Sequence, residues 1–165
     1  MAAETTLDIL KNAILLEKKG RAFYGQVAAQ AAHPDVKRFF EMMADEEAQH
    51  IAILTDQFKA YRENARFNPF DAPADGDIAD KVLTRDLADA IAAADYEAAA
   101  ISAAMAMEKN AVRLYADRAA SAADPAEKTL YDWLSRWEQS HLRFLAEVDR
   151  EITERIWTDN NFWAF

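Results

Sequence analysis

The stretches Glu47-Ala48-Gln49-His50 and Glu138-Gln139-Ser140-His141 decide the fold of this chain, because they carry one Glu-x-x-His motif at an interval of 91 residues. Upstream of each motif, a Tyr follows a lone Glu by seven residues. Three further pairs repeat at the same interval: Glu17 and Glu108, Tyr24 and Tyr115, and Pro34 and Pro125. We therefore interpret the chain as a tandem repeat of one helix pair, with no net insertion or deletion between these positions.

The spacing of the apolar residues predicts helices. Apolar residues recur at i, i+3 and i+4, and we find no alternating β-branched run bounded by turn residues. Short connections before Pro34 and Pro125 make each helix pair antiparallel, and Glu127 follows Pro125 as a capping-box residue. We predict a single domain over residues 1–165 with four segments: helix pair 5–63, crossover 64–94, helix pair 95–155 and aromatic tail 156–165.

The crossover is long enough to return the chain to the starting end of the second helix, and its second half predicts a short helix over residues 78–91. The fold class is therefore all-α: a ferritin-like four-helix bundle of two repeated antiparallel helix pairs joined by one long crossover. The tail contains four aromatic residues, which we expect to be covered by the bundle or by a subunit interface: Trp157, Phe162, Trp163 and Phe165.

Four glutamates and two histidines fall inside the apolar stripes of the predicted helices. An ionised carboxylate buried without a partner costs several kcal/mol or more, so it must be paired, protonated or metal-bound. Residues three apart share one helix face, so the Glu and His of each motif can reach the same ion. One such motif can arise by chance on a surface, but its repetition favours a two-metal site. The predicted ligands are Glu17, Glu47, His50, Glu108, Glu138 and His141.

Two tyrosines occupy equivalent positions beside these ligands. Tyr24 and Tyr115 lie two helical turns after the lone glutamates, so each can donate a hydrogen bond to a ligand carboxylate across the bundle or simply fill the core. The repeat favours the hydrogen bond. Gly20 and Ala111, three residues after the lone glutamates, either leave room for a small oxidant or allow close helix packing.

Two other polar residues near the motifs are not predicted to be ligands. Glu46 precedes a ligand glutamate, but its counterpart in the second repeat is Trp137. His33 lies at a helix junction, where a cap or loop residue is expected.

Composition excludes several classes of function. The net charge is −10, which argues against nucleic acid as a partner, because phosphate neutralisation needs basic patches. The chain has no cysteine, so disulfides, thiolate catalysis and Cys-ligated clusters are excluded. No apolar run approaches the roughly 20 residues that span a bilayer, and the N-terminus lacks a secretory pattern. We expect a cytoplasmic protein that does not bind membranes.

These residues resemble the rubrerythrin-like branch of the ferritin-like superfamily. The matching positions are the two Glu-x-x-His motifs together with Glu17, Tyr24, Glu108 and Tyr115. The resemblance implies two iron ions held by the six ligands, with Glu47 and Glu138 as bridges, and a homodimer. It also implies reduction of hydrogen peroxide, or oxidation of Fe(II) by dioxygen or peroxide.

The chain departs from rubrerythrins in two respects. Without cysteine it cannot carry their rubredoxin iron site, so the electron donor must be external. Rubrerythrins also place an extra Glu where this chain has Ala111, which leaves a more symmetric, bacterioferritin-like ligand set.

Three hypotheses follow from the sequence. The first is a di-iron oxidoreductase, a peroxidase or ferroxidase acting on peroxide or dioxygen. The second is an iron-handling protein with only slow ferroxidase activity. The third is a structural module that holds zinc or no metal. Oxygen and nitrogen ligands suit iron and manganese and can hold zinc, so the sequence leaves the metal open.

Overall fold

The structure is a computed structural model that describes residues 5–73, 85–93 and 95–159. The described chain consists of helices and their connections, as the all-α prediction requires, and the arrangement is a ferritin-like bundle. The helices, numbered in chain order, are α1 (Thr6–Gln30), α2 (Pro34–Asn64), α3 (Arg85–Ala92), α4 (Asp95–Ser121) and α5 (Pro125–Asp159).

Local side-chain chemistry sets the helix starts. The Thr5 hydroxyl caps α1 by accepting a hydrogen bond from the Asp8 amide at 3.2 Å. His33 caps α2, where its Nδ1 accepts from the Asp35 amide at 3.2 Å, which confirms the cap role predicted for this histidine. Asp124 caps α5 by accepting from the Ala126 amide at 2.8 Å.

The capping-box role predicted for Glu127 is not the contact that the structure shows. Its carboxylate accepts from the Nε of Arg118 on α4 at 2.7 Å and is nearly fully buried. A guanidinium offers a buried carboxylate a full positive charge and several N–H donors, whereas a backbone amide offers one N–H. This ion pair ties the start of α5 to the end of α4.

The helices pack as two hairpins, α1 with α2 and α4 with α5, around two apolar clusters. One cluster is centred on Phe40, Phe144 and Val148, and α3 closes it with Leu87 and Ile91. The other is built from Leu10, Leu54, Tyr131, Trp133 and Leu134. Burying a large apolar side chain stabilises a fold by about 1.5–3 kcal/mol, so both clusters hold the polar residues between them in place.

One predicted boundary differs from the structure, and another is described only in part. The helix predicted over residues 78–91 is described as Arg85–Ala92, and the rest of its predicted span lies outside the described residues. The last helix continues to Asp159 instead of ending near residue 155, so Trp157 belongs to the helix and is half exposed. The rest of the predicted tail, residues 160–165, lies outside the described residues.

The start of the crossover is fixed to α2. The Gln57 side chain accepts from the Asn68 amide at 3.0 Å, and Phe67 is buried against Tyr61. Among the described helices, none is both long and apolar enough to cross a membrane.

Candidate metal centre

Six polar residues meet in the middle of the bundle. Each lies well inside its helix, one on α1, two on α2, one on α4 and two on α5, because the helix periodicity turns all six toward the same interior. Each side chain is at most 3% exposed. The structure thus brings together every residue predicted as a ligand: Glu17, Glu47, His50, Glu108, Glu138 and His141.

These residues form two overlapping groups of four. The first contains Glu17 and His50, the second contains Glu108 and His141, and both contain the pair Glu47 and Glu138. Within each group, one ligand atom per residue lies within 4.8 Å of the corresponding atoms of the other three. Glu47 and Glu138 belong to both groups, and each carboxylate has two oxygens, so these two residues would serve both groups if each held a cation.

The imidazole Nδ1 atoms face the carboxylates. The Nδ1 of His50 lies 2.9 Å from Oε1 of Glu138 and 3.1 Å from Oε2 of Glu17. The Nδ1 of His141 lies 3.2 Å from Oε2 of Glu138 and 3.7 Å from Oε1 of Glu108. Glu138 therefore contacts both histidines, one with each oxygen.

The orientation of these groups fits a cation better than it fits direct hydrogen bonds. Both oxygens of Glu138 and the Nδ1 of His141 are buried, and none has a hydrogen-bond partner within the described residues. A buried polar atom without a partner costs about 1–3 kcal/mol. Lone pairs that lie close together without a proton aligned between them are suited to a divalent ion, so the donor set fits a metal centre.

Without a metal, the cluster holds protons. Burial, followed by repulsion from Glu138, raises the pKa of Glu47 well above its ordinary value and raises the pKa of Glu108 to about 7. Burial alone would also raise the pKa of Glu138, but His50 and His141 hold it well below its usual range. Like charges this close cannot all ionise in a dry interior, so cations that bind here must displace protons.

Each tyrosine of the repeat crosses the bundle to the lone glutamate of the other repeat. The Tyr24 hydroxyl donates a hydrogen bond to Oε1 of Glu108, and the Tyr115 hydroxyl donates to Oε1 of Glu17. Both tyrosines are fully buried. Burial and the adjacent carboxylates raise the pKa of both hydroxyls, so they remain donors and fix the orientation of the two glutamates.

Gly20 makes room for the side chain of Glu47, one of the predicted metal ligands. A Cβ at this position would lie 3.2 Å from Cδ of Glu47, closer than an ordinary van der Waals contact. Gly20 and Ala111 also line a cavity of about 20 Å³ that is bounded by all four glutamates. The small residue at position 20 therefore leaves room for the Glu47 carboxylate, and the role of Gly20 and Ala111 in admitting a small oxidant stays a prediction.

A groove that sequence reasoning missed lies outside this cavity, between α1 and α4. It has a volume of about 380 Å³, and Leu15, Leu114, Lys19 and Arg113 are among the residues that line it. Leu16 lines both the groove and the inner cavity. In the sequence, this groove could have been found from Leu15 and Leu114, two leucines on the sides of α1 and α4 that face away from the core.

Comparison with known proteins supports the same family that the residues resemble. The family model described as Rubrerythrin matches residues 8–148, which is most of the chain. No curated protein and no solved structure gives a significant match. The family match covers all of α2 and α4 and most of α1 and α5, and it contains the six clustered residues and both tyrosines. The chain belongs to the rubrerythrin family.

Proposed function

We propose that this protein is a di-iron carboxylate oxidoreductase that reduces peroxide or dioxygen with electrons from Fe(II). The observation that carries the proposal is the pair of ligand groups sharing Glu47 and Glu138. Two divalent ions would offset the charge of four carboxylates, and a mixed oxygen and nitrogen donor set suits iron. When bound, two Fe(II) ions would supply the two electrons needed to reduce an O–O bond.

The protein's part in this reaction is to hold the ligands and to exclude water. The Tyr24 hydroxyl holds one oxygen of Glu108 from across the bundle, and the Tyr115 hydroxyl holds one oxygen of Glu17. These hydrogen bonds fix the orientation of each carboxylate and therefore the direction of its second oxygen. The surrounding apolar clusters keep the local dielectric low, so the charges of the ligands act strongly on bound cations.

The size of the inner cavity supports a small oxidant. A volume of about 20 Å³ exceeds the roughly 10–15 Å³ that a single water needs and is too small for an organic substituent. We therefore propose hydrogen peroxide or dioxygen as the oxidant. Sustained turnover would need an external electron donor, because the chain has no cysteine with which to build a rubredoxin-type iron site. We also propose the homodimer that the resemblance implies.

A second function, iron handling with slow ferroxidase activity, is favoured by one observation. Ala111 lines the cavity where an additional carboxylate would break the equivalence of the two ligand groups. The resulting centre has one lone glutamate, one histidine and the shared pair on each side. A centre with one carboxylate fewer holds its cations less tightly, which favours a site that binds and releases iron.

The test begins with metal-free protein loaded anaerobically with two equivalents of Fe(II). Peroxide is added to one half and dioxygen to the other, and the rise of oxo-bridged diferric absorption is followed over time. A faster rise with peroxide supports a peroxidase, and a faster rise with dioxygen supports a ferroxidase. Continued turnover with an added chemical reductant separates an enzyme from an iron-handling protein.

Variants make this test specific to the centre. Glu108→Ala should abolish the absorbance change, whereas Glu41→Ala, an exposed glutamate on α2, should leave it intact. If neither oxidant produces a band in the wild-type protein, the six residues do not form a reactive di-iron centre, and the structural module becomes the better explanation.

A further inference from the structure

The two histidines of the centre differ on the side that faces away from the carboxylates. Both Nδ1 atoms face the cluster, so both Nε2 atoms face outward. Each Nε2 is buried and has no hydrogen-bond partner within the described part of the chain. An imidazole that binds a metal through Nδ1 must carry its proton on Nε2, and a buried N–H group requires an acceptor.

Two aromatic rings pack against His50. The indoles of Trp133 and Trp137 lie in T-shaped contact with the imidazole, with ring centroids 5.7 Å and 5.9 Å away. An indole ring has no oxygen or nitrogen lone pair to accept a strong hydrogen bond. Neither indole can therefore accept the Nε2 hydrogen of this histidine.

On His141, the repeat places a carboxylate at the corresponding position. The interval of 91 residues maps Trp137 of α5 onto Glu46 of α2. The same interval relates the two hairpins to each other. It converts the contact of Tyr24 with Glu108 into the contact of Tyr115 with Glu17, and the structure contains both. The indole that approaches His50 from α5 thus has its counterpart in Glu46, approaching His141 from α2.

Glu46 is suited to this role by its own environment. Its side chain is half-buried, and its Oε2 is buried without a hydrogen-bond partner among the described residues. The Nε2 of His141 is likewise buried without a hydrogen-bond partner among the described residues. The repeat thus maps an unpaired acceptor on α2 to the outer side of an unpaired donor on α5, and one bridging water can satisfy both.

We propose that Glu46 is a positioning residue that accepts the Nε2 hydrogen of His141 through one bridging water and makes the ion position of Glu108 and His141 bind divalent metal more tightly than the position of Glu17 and His50. A carboxylate acceptor fixes the ring and increases the basicity of Nδ1, whereas the indoles beside His50 do neither. This inference rests on the proposed two-metal centre. It adds the order in which the two positions bind metal ions.

The experiment measures stepwise metal affinity in the full-length protein. Metal-free protein is titrated with Co(II), followed by its visible absorption, and with Zn(II), followed by calorimetry. The wild-type protein should bind two ions in two steps of unequal affinity. Glu46→Gln should weaken the tighter step by roughly 10–100-fold, the usual effect of losing such a partner, and leave the other unchanged. Glu46→Leu should weaken the same step further.

Two sets of variants complete the design. Asp45→Asn removes the neighbouring exposed acid of α2 and should leave both steps unchanged, which controls for the loss of one negative charge. Glu108→Ala should remove the tighter step and Glu17→Ala the weaker one, which assigns the steps to the two positions. Circular dichroism checks that each variant is folded.

The outcomes separate this inference from the proposed function. If Glu46→Gln leaves both steps unchanged or weakens both equally, or if Glu108→Ala removes the weaker step, the role of Glu46 is wrong while the metal centre stands. If the wild-type protein binds neither Co(II) nor Zn(II), the metal centre is wrong, and the proposed function and this inference fall together.

Discussion

Tyr115 on α4 donates a hydrogen bond to Glu17 on α1, so the second repeat holds the lone ligand of the first. The reciprocal bond from Tyr24 to Glu108 does the same in the other direction. Each repeat therefore helps to orient the lone glutamate of the other, and the centre depends on the packing of one hairpin against the other. This dependence links metal binding to the stability of the whole bundle.

Tyr115→Phe should destabilise the metal-free protein by about 1–3 kcal/mol, because an oxygen of the buried Glu17 loses its donor. Urea denaturation in the presence of a chelator measures this loss. Tyr96→Phe, at a half-exposed tyrosine of α4, serves as the control and should change the free energy of unfolding little. An equal loss in both variants would contradict the role of the buried hydrogen bond.

Gly20→Ala should raise helix stability and weaken metal binding. Replacing Gly by Ala inside a helix stabilises by about 0.5–1 kcal/mol, but here the new Cβ would lie 3.2 Å from Cδ of Glu47 and push the shared carboxylate aside. Gly25→Ala is a matched control on the same helix, because its Cβ would meet no atom within 4 Å. Zn(II) affinity should fall only in the Gly20 variant; a similar change in both would mean that the space at Gly20 is not used by the ligand.

The metal-free protein should lose stability as the pH rises from about 5.5 to about 8. Burial raises the pKa of Glu108 from 4.5 to about 7, so the folded state binds more protons than the unfolded state in this interval. For His50 and His141, burial alone would lower the pKa, but the carboxylates raise it well above 6.5, so their contribution is also lost as the pH rises.

Thermal denaturation with a chelator at both pH values measures this slope, and Glu108→Gln should reduce it. Zn(II) should reverse the trend, because binding displaces the protons and becomes stronger at higher pH. Greater stability of the metal-free wild-type protein at the higher pH would contradict the proton-holding cluster.

The sequence could predict the set of clustered residues, because helix periodicity alone decides which side chains share a face. Glu47 and His50 lie three residues apart, and the second copy repeats the arrangement. It could not predict which lone glutamate each tyrosine reaches. That pairing depends on how far α1 and α4 are displaced along their axes relative to each other, and this displacement is set by packing that no single helix encodes.

Other differences have similar non-local causes. Glu127 fits a capping box by local spacing, but the guanidinium of Arg118 from the neighbouring helix is the partner it contacts. The groove beside Leu16 forms only when two helices that are distant in sequence come together. Local signals predicted the elements and their faces, whereas contacts between hairpins emerged only from the three-dimensional arrangement.

Leu16→Ala should admit larger oxidants to the centre. Leu16 is the residue common to the outer groove and the inner cavity, so shortening it should join the two spaces. With Fe(II)-loaded protein, oxidation by a bulky organic hydroperoxide should accelerate several-fold relative to oxidation by hydrogen peroxide. Leu15→Ala is the matched control, because Leu15 lines only the outer groove and is 54% exposed. If both variants leave the ratio of the two rates at the wild-type value, oxidants reach the centre by a route other than the seam between α1 and α4.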